Sequence, residues 1–336
     1  MVAGRGYPPS VELLVRDHRG STWPQSRAKI EPRQKILTLE SSDPKPRRMR
    51  IPQQLILSCE KSPERKAWMS RLPLLLRQLE VGWSLRLGEP FDHAGSCSWV
   101  APAIRANGES AVLKLAMPHM EGQDEISGLR FWNGDGTVKL LEANLESGAM
   151  LLEQCVPGTT LHSESETRQD EVVASLLRWI WSHTRSASDL PGFRPLSLMI
   201  ELWSGETIAQ RHLWPDAELV NEGLRDLKEL AKPASTDVLL ATDLHAGNVL
   251  RSQREPWLLI DPKPFVGDRA YDPVQHLMNC ERRLHHNPIE LVRRVADLAE
   301  VDPERLRLWT FARAAADPRD DWKDDRWMRT ARTLAL

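Results

Sequence analysis

The hydrophobic periodicity of the chain changes at Pro157-Gly158, and this change constrains the fold more than any other feature. Between Ile51 and this point, short apolar stretches alternate with turn residues, as in "WSLRLGEPF", "SAVLKLAMP" and "GAMLLEQC". Beyond it, apolar residues recur at helical spacing, as in "DEVVASLLRWIWSHT" and "NPIELVRRVADLAEV". A run of strands followed by a run of helices is typical of an α+β protein. The sequence therefore predicts a sheet-rich part at residues 51–156 and a helical part at residues 157–336.

Residues 1–50 have a different composition from the rest of the chain. They contain 11 Lys or Arg against 5 Asp or Glu, and six prolines. Few of their apolar residues are spaced so that they could pack into a core. We therefore expect a basic, disordered extension.

The composition excludes several classes of protein. The 336 residues carry a formal net charge of −2, which argues against nucleic-acid binding by bulk electrostatics. No apolar run approaches the roughly 18 to 20 residues that a membrane-spanning helix needs, and the chain begins without a signal-peptide pattern. The four cysteines are scattered and lack the paired spacing of a zinc site. These features predict a cytoplasmic protein with no nucleic-acid or membrane partner.

Three polar residues stand next to strongly apolar segments near the three-quarter point of the chain. Asp243 and Asn248 lie in "LLATDLHAGNVL", and Asp261 follows in "PWLLIDPKPFVGD". The apolar flanks predict buried elements with the polar residues on the connecting loops, where catalytic groups tend to lie. Gly247 lets the chain turn between Asp243 and Asn248. A hairpin of this size would bring the three side chains together.

Such a set of oxygens suits phosphoryl transfer from a magnesium nucleotide. Mg²⁺ takes one or two protein carboxylate or amide oxygens together with phosphate oxygens and water. Asn248 and Asp261 would bind the metal, and Asp243 would orient the attacking hydroxyl and accept its proton. Kinases present the same order of residues, with a lysine on an upstream strand and a glutamate on the following helix. Lys114 in "AVLKLAM" and Glu125 in "GQDEISGLRFW" fit these two positions.

These motifs resemble the aminoglycoside phosphotransferase family, in particular its streptomycin 6-phosphotransferase and hydroxyurea phosphotransferase branch. The resemblance rests on "DLHAGNVL", "WLLIDPKPFVGDRAYDPVQHL", "VLKLAMPHMEGQDEISGLRFW" and "GAMLLEQCVPGTTL". It implies a bilobal protein-kinase-like fold that binds ATP with Mg²⁺, with an N-lobe at residues 51–156 and a C-lobe at residues 157–336. It also implies that Glu153 to Cys155 form the hinge that meets adenine through backbone groups. Ser96 and Ser98 are candidates for phosphate contact.

Two positions depart from the family pattern. Ala241-Thr242 precedes the catalytic aspartate where His-Gly is common, and the phosphate-covering turn "HAGSCSW" carries only Gly95. Neither change removes a catalytic oxygen. We therefore expect an ATP-dependent kinase of a hydroxylated small molecule, such as a streptomycin-like antibiotic, with a role in antibiotic resistance or secondary metabolism. The alternatives are a catalytically weak nucleotide-binding regulator, or a kinase of an unrelated hydroxyl.

Other polar residues have simpler interpretations. Asp272 precedes a proline at the start of a helix and is interpreted as an N-cap. His245 is interpreted as a structural hydrogen-bonding group. Lys263 could contact phosphate or hold the loop, and the sequence does not decide between these roles. The acidic run from Asp317 to Asp325 is interpreted as a solvated helix face, although it could also receive a cationic acceptor.

Overall fold

The computed structural model describes residues 37–38, 48–92, 97–118, 121–184, 190, 192–319 and 321–335. The predicted basic extension at residues 1–50 lies almost entirely outside this part of the chain. The described residues fall into two compact units. The first runs to Ile126 and includes Lys139–Gln154, and the second consists of Ser127–Val138 and the chain from Cys155 onward.

The first unit is built on a five-stranded antiparallel sheet with the strand order β3-β4-β5-β7-β6. Alternate residues of its central strand, Ala111, Leu113 and Leu115, are fully buried, which explains the alternating pattern in the sequence. They join a core with residues of the long helix α2 (Pro63–Gly82), including Trp68 and Leu72. The strands of this unit are Leu37–Thr38 (β1), Arg48–Met49 (β2), Leu85–Leu87 (β3), Ser98–Arg105 (β4), Ser110–Ala116 (β5), Leu140–Asn144 (β6) and Ala149–Glu153 (β7).

Two helices precede this sheet. Helix α1 spans Gln53–Glu60, and α2 spans Pro63–Gly82. Helix α2 begins as the sequence suggests, with Ser62 before a proline at the first helical position. Helix α1 was not predicted, because eight residues give too short a periodic pattern to recognise. A third helix, α3 (Glu125–Trp132), begins at the last residues of the first unit.

The second unit is mostly helical and carries two short antiparallel strand pairs. Strand β8 pairs with β11, and β9 pairs with β10. The strands are Val238–Leu240 (β8), Val249–Arg251 (β9), Trp257–Leu259 (β10) and Phe265–Gly267 (β11). The helices are Glu166–Trp181 (α4), Leu196–Ala209 (α5), Ala217–Leu230 (α6), Asp272–Asn279 (α7), Glu281–His286 (α8), Pro288–Ala299 (α9), Pro303–Ala316 (α10) and Arg326–Ala335 (α11). Within the described ranges, no helix combines the length and the apolar character that crossing a bilayer requires.

Candidate active site

The two strand pairs of the second unit bring the predicted catalytic segments together. Residues 241–248 connect β8 to β9, and residues 260–264 connect β10 to β11. The strands that flank the first connection, β8 and β9, pair with the strands that flank the second, β11 and β10. The two connections therefore lie side by side. Backbone hydrogen bonds join them directly, from Ile260 N to Asn248 O at 2.8 Å and from Lys263 N to Ala241 O at 2.8 Å.

Asp243 and Asn248 are in direct contact within this cluster. The Asn248 Nδ2 donates to the Asp243 carbonyl at 3.0 Å and to its Oδ2 at 3.2 Å. Both contacts use the amide nitrogen, so they fix which way the side chain points. Among the residues that the structure describes, none donates a hydrogen bond to the Asn248 Oδ1. This oxygen is therefore available to a cation.

Lys263 lies between the two aspartates. Its Nζ forms an ion pair with the Asp261 Oδ1 and lies 4.0 Å from the Asp243 Oδ2. Asp243 and Lys263 are each 5% exposed, whereas about a third of the Asp261 side chain is exposed. A buried ammonium ion beside two carboxylates offsets part of their negative charge. The geometry thus shows Lys263 to be part of the cluster, which the sequence left undecided.

The donor set of this cluster fits a magnesium ion. Asn248 offers its Oδ1, and the partly exposed Asp261 offers carboxylate oxygens, which are the hard ligands that Mg²⁺ prefers. Two protein ligands leave room for phosphate oxygens and water in an octahedral shell. Asp243 is more deeply buried than Asp261, and its carboxylate lies next to these two ligands. A carboxylate in this position can accept a proton from a substrate.

Asp272 is not the N-cap that the sequence predicts. The cap position belongs to Tyr271, and Asp272 is the first residue of α7. Its carboxylate accepts the backbone N–H of Ala241 at 3.0 Å, the backbone N–H of Thr242 at 2.6 Å and the Trp181 indole N–H at 2.9 Å. Burial raises the pKa of Asp272 to about 6, although these three donors favour the carboxylate. Asp272 therefore anchors the backbone just before Asp243.

The unusual Thr242 is held in a strained conformation by this anchor. Its φ of 47° lies in the left-handed region, which a β-branched residue rarely adopts. Its hydroxyl donates to the Lys263 carbonyl at 2.6 Å. Threonine at this position thus adds a hydrogen bond between the two connections of the cluster.

His245 and Gln275 complete the surroundings of Asp243. The His245 Nδ1 accepts the Gly247 N–H at 3.1 Å, in agreement with a structural role, and its Nε2 lies 3.8 Å from the Asp243 Oδ1. The Gln275 Nε2 donates to the same Oδ1 at 3.1 Å. Gln275 was not singled out in the sequence. The only available signal is its spacing of three residues from Asp272, which puts both side chains on one face of α7.

Lys114 and Glu125 form a buried ion pair in the first unit. The Lys114 Nζ donates to both carboxylate oxygens of Glu125 at 2.7 Å. Lys114 is 5% exposed and Glu125 is 1% exposed. Lys114 lies in the central strand β5, opposite Val100 on one side and Met150 on the other. Glu125 begins α3, so its charge lies at the favourable end of that helix.

The remaining candidates are divided between the two units. Ser98 is the first residue of β4 and is buried. Ser96 and Gly95 lie outside the described residues. Glu153 ends β7, where its backbone N–H donates to the Lys139 carbonyl and its carboxylate accepts the Lys139 N–H, each at 2.9 Å. Cys155 is buried, and the chain enters the second unit again at this residue.

The acidic run behaves differently at its two ends. Asp317 is buried and its Oδ2 accepts from the Arg313 Nε at 2.9 Å, so the interpretation as a solvated face is wrong at this residue. Further along, the exposed Asp325 pairs with Arg329, and Asp324 pairs with Arg326. Asp320 lies outside the described residues.

Comparison with known proteins identifies the family. A sequence model of the aminoglycoside/hydroxyurea antibiotic resistance kinases matches residues 84–321. Streptomycin 6-kinase from Streptomyces glaucescens is 33% identical over 259 residues, which cover 74% of this chain and 83% of that protein. Hydroxyurea phosphotransferase from Kitasatospora aureofaciens is 34% identical over 252 residues, which cover 74% of this chain and 72% of that protein.

Solved structures share the fold at lower sequence identity. Choline kinase LicA from Streptococcus pneumoniae matches with a TM-score of 0.56 and 17% identity, covering 79% of this chain and 99% of that chain. LicA in complex with AMP matches with a TM-score of 0.52 and 15% identity, covering 78% and 97%. The predicted α+β, protein-kinase-like fold and the predicted phosphotransferase class are confirmed. The chain belongs to the family of aminoglycoside/hydroxyurea antibiotic resistance kinases.

Proposed function

We propose that this kinase transfers the γ-phosphoryl group of ATP to a hydroxyl group of a small aminoglycoside-type acceptor such as streptomycin. The observation that carries the proposal is the cluster of Asp243, Asn248, Asp261 and Lys263, in which a buried base lies beside an available amide oxygen and a partly exposed carboxylate. The relatives named as streptomycin and hydroxyurea kinases support the choice of acceptor class.

In this proposal, Asp243 orients the acceptor hydroxyl and accepts its proton as the new bond to phosphorus forms. Asn248 and Asp261 hold the magnesium ion. Bound magnesium neutralises negative charge on the phosphate oxygens. Lys263, with its ammonium ion beside both aspartates, holds the two carboxylates close to each other before the substrates bind.

The nucleotide is assigned mainly to residues 51–156, and the catalytic loop and acceptor to residues 157–336. Lys114 holds phosphate oxygens, and Glu125 fixes the direction of its ammonium ion. Ser98, together with Ser96, contacts phosphate, and the backbone at Glu153 to Cys155 binds adenine. We further propose a cytoplasmic setting, which is supported by the scattered positions of the four cysteines in the sequence.

The test is ATP consumption with magnesium and a panel of acceptors that includes streptomycin and hydroxyurea. We expect stoichiometric phosphorylation of an acceptor by the wild-type protein. Asp243→Asn removes the base, so kcat should fall by about 10²- to 10⁴-fold. Asp297→Asn, which changes an exposed carboxylate on α9, should leave kcat unchanged. Equal rates for the wild-type and Asp243→Asn proteins would contradict the role of Asp243, and no product with any acceptor would contradict the proposed function.

A further inference from the structure

A buried arginine lies behind the catalytic aspartate. Arg313 is on α10 and is 3% exposed. Its Nε donates to the Asp317 Oδ2 at 2.9 Å, and its guanidinium carbon lies 5.2 Å from the ring centre of Trp203 and 5.5 Å from that of Tyr271. The counterion and the two aromatic rings fix the plane of the guanidinium group.

One of the two outer nitrogens of this guanidinium group points to Gln275, the side chain that contacts Asp243. The Arg313 Nη1 donates to the Gln275 Oε1 at 3.0 Å, and the Gln275 Nε2 donates to the Asp243 Oδ1 at 3.1 Å. Gln275 is 1% exposed and Asp243 is 5% exposed. The four side chains from Asp317 to Asp243 thus form one continuous buried hydrogen-bonded chain.

The chemistry of the two ends fixes the orientation of the glutamine amide. A guanidinium group can only donate hydrogen bonds, and an ionised carboxylate can only accept them. With the amide reversed, its nitrogen would face Arg313 and its oxygen would face Asp243, so both contacts would become repulsive. Arg313 therefore determines which end of the Gln275 amide the catalytic aspartate meets.

We propose that Arg313 is a positioning residue that acts through Gln275 to orient the carboxylate of Asp243. This inference rests on the proposed role of Asp243 as the base. With Gln275 on Oδ1 and Asn248 on Oδ2, the carboxylate is held from both sides and cannot rotate freely. A base held in one rotamer keeps the proton-accepting oxygen aligned with the acceptor hydroxyl.

Arg313 also brings a positive charge close to the base. Burial lowers the pKa of Arg313, but its interactions with Asp317, Tyr271 and Asp243 outweigh this effect and raise the pKa above its ordinary value. Arg313 thus stays charged at every pH at which the enzyme works.

The first test uses phosphoryl transfer from magnesium ATP to streptomycin by Arg313→Met, Arg313→Lys, Gln275→Leu and the double variant Gln275→Leu/Arg313→Met. We expect Arg313→Met to lower kcat by about ten- to a hundredfold with the KM for ATP within about twofold, because only the base is misplaced. Arg313→Lys should restore part of the loss. The double variant should lose no more than the larger single loss, since both changes break the same chain.

Arg319→Met is the matched control. Arg319 is another buried arginine, 6% exposed, that stacks on Trp322 and donates to the backbone carbonyl of Ala314. Its replacement should lower the melting temperature and leave kcat within about twofold of wild type, since its hydrogen bonds hold the backbone carbonyls of Ala314 and Asp317. An unchanged kcat in Arg313→Met, or single losses that multiply in the double variant, would overturn the proposal. Asp243→Asn serves as the reference. If this variant is as active as wild type, the proposed role of Asp243 as the base is wrong, and not only the proposed role of Arg313.

A second test remains informative if Arg313→Met does not fold. Gln275→Glu places a second carboxylate next to Asp243, which should raise the pKa of the base and move the acid limb of the kcat–pH profile upward by about one unit. A merely structural glutamine would not move this limb. If the acid limb of the kcat–pH profile is unchanged in folded Gln275→Glu protein, residue 275 does not face the base. That result would overturn the proposal that Arg313 acts through Gln275.

Discussion

Asp317 shows how burial changes the energetic role of one residue in a charged run. It neutralises the buried Arg313, whereas Asp321, four residues later, is exposed and accepts the backbone N–H of Lys323 at 2.9 Å. Breaking a buried ion pair leaves the other charge uncompensated. We therefore expect Asp317→Asn to lower the free energy of unfolding by about 3 kcal/mol.

The matched substitution Asp321→Asn should change the free energy of unfolding by less than about 0.5 kcal/mol. Urea unfolding of both variants at pH 7 measures the two effects. Similar values for the two variants would contradict the burial of the ion pair, because a solvated pair contributes little.

The residues of the site were predictable to different degrees. Asp243, Asn248 and Asp261 stand out in the sequence through their combined spacing and apolar flanks, because catalytic groups tend to lie on loops between rigid elements. Asp272 and Gln275 gave no comparable signal, because their contacts depend on how α7 lies against the connection at residues 241–248. Arg313 lies 70 residues after Asp243, and only the packed fold brings it to Gln275.

At the scale of the elements, helices α6 and α10 approach each other at a glycine. A Cβ on Gly223 would lie 2.8 Å from the Ala315 Cβ and 3.1 Å from the Ala312 carbonyl oxygen. The backbone oxygen cannot move aside cheaply, so Gly223→Ala forces the two helices apart. We expect a net loss of about 1 to 2 kcal/mol in the free energy of unfolding, after the better helix propensity of alanine is counted.

Gly205→Ala provides a control of opposite sign. Gly205 lies in α5, and a Cβ there would meet nothing within 4 Å. The substitution should stabilise the protein by about 0.5 to 1 kcal/mol through helix propensity alone. If both variants shift the urea midpoint in the same direction, the prediction that close helix packing requires a glycine at residue 223 is contradicted.

Four helices of the second unit meet at a buried carboxylate. Asp170 of α4 accepts from His276 of α7 at 2.9 Å, from both Nη atoms of Arg283 of α8 and from the Arg294 Nε of α9. Burial alone would lower the pKa of His276, but its interactions with Cys280 and Asp170 outweigh burial and raise the pKa to about 9. His276 is thus protonated at neutral pH and joins α7 to α4.

This pairing predicts a pH dependence of stability. The folded pKa of His276 lies above its ordinary value of 6.5, so its contribution is fully present below about pH 6.5 and is lost as the pH rises towards 9. The free energy of unfolding should fall by up to about 3 kcal/mol over this range. His276→Gln should flatten the profile, and His286→Gln, at an exposed residue of α8, should not. An unflattened profile in His276→Gln would show that another group titrates.

The division of the whole molecule into a sheet-rich and a helical part could be predicted from the sequence, because strand and helix periodicities differ over long segments. Short elements could not be predicted in this way. Helix α1 and the three-residue strands β8 to β11 span too few residues to show a period, yet these strands bring the connections at Asn248 and Asp261 side by side. The site therefore depends on the elements that carry the weakest sequence signal.

At the scale of the whole molecule, the proposed substrate complex predicts a ligand-dependent melting temperature. Binding to the folded state alone adds about 2.7 kcal/mol at a nucleotide concentration a hundred times Kd, which corresponds to a rise on the order of 5 °C for a chain of this size. ATP with magnesium should give this rise, and ATP with EDTA should give a smaller one. Asp261→Asn should remove the difference between the two conditions, since it replaces a proposed metal ligand. Asp297→Asn should keep that difference, and a magnesium-dependent rise that survives in Asp261→Asn would place the metal elsewhere in the protein.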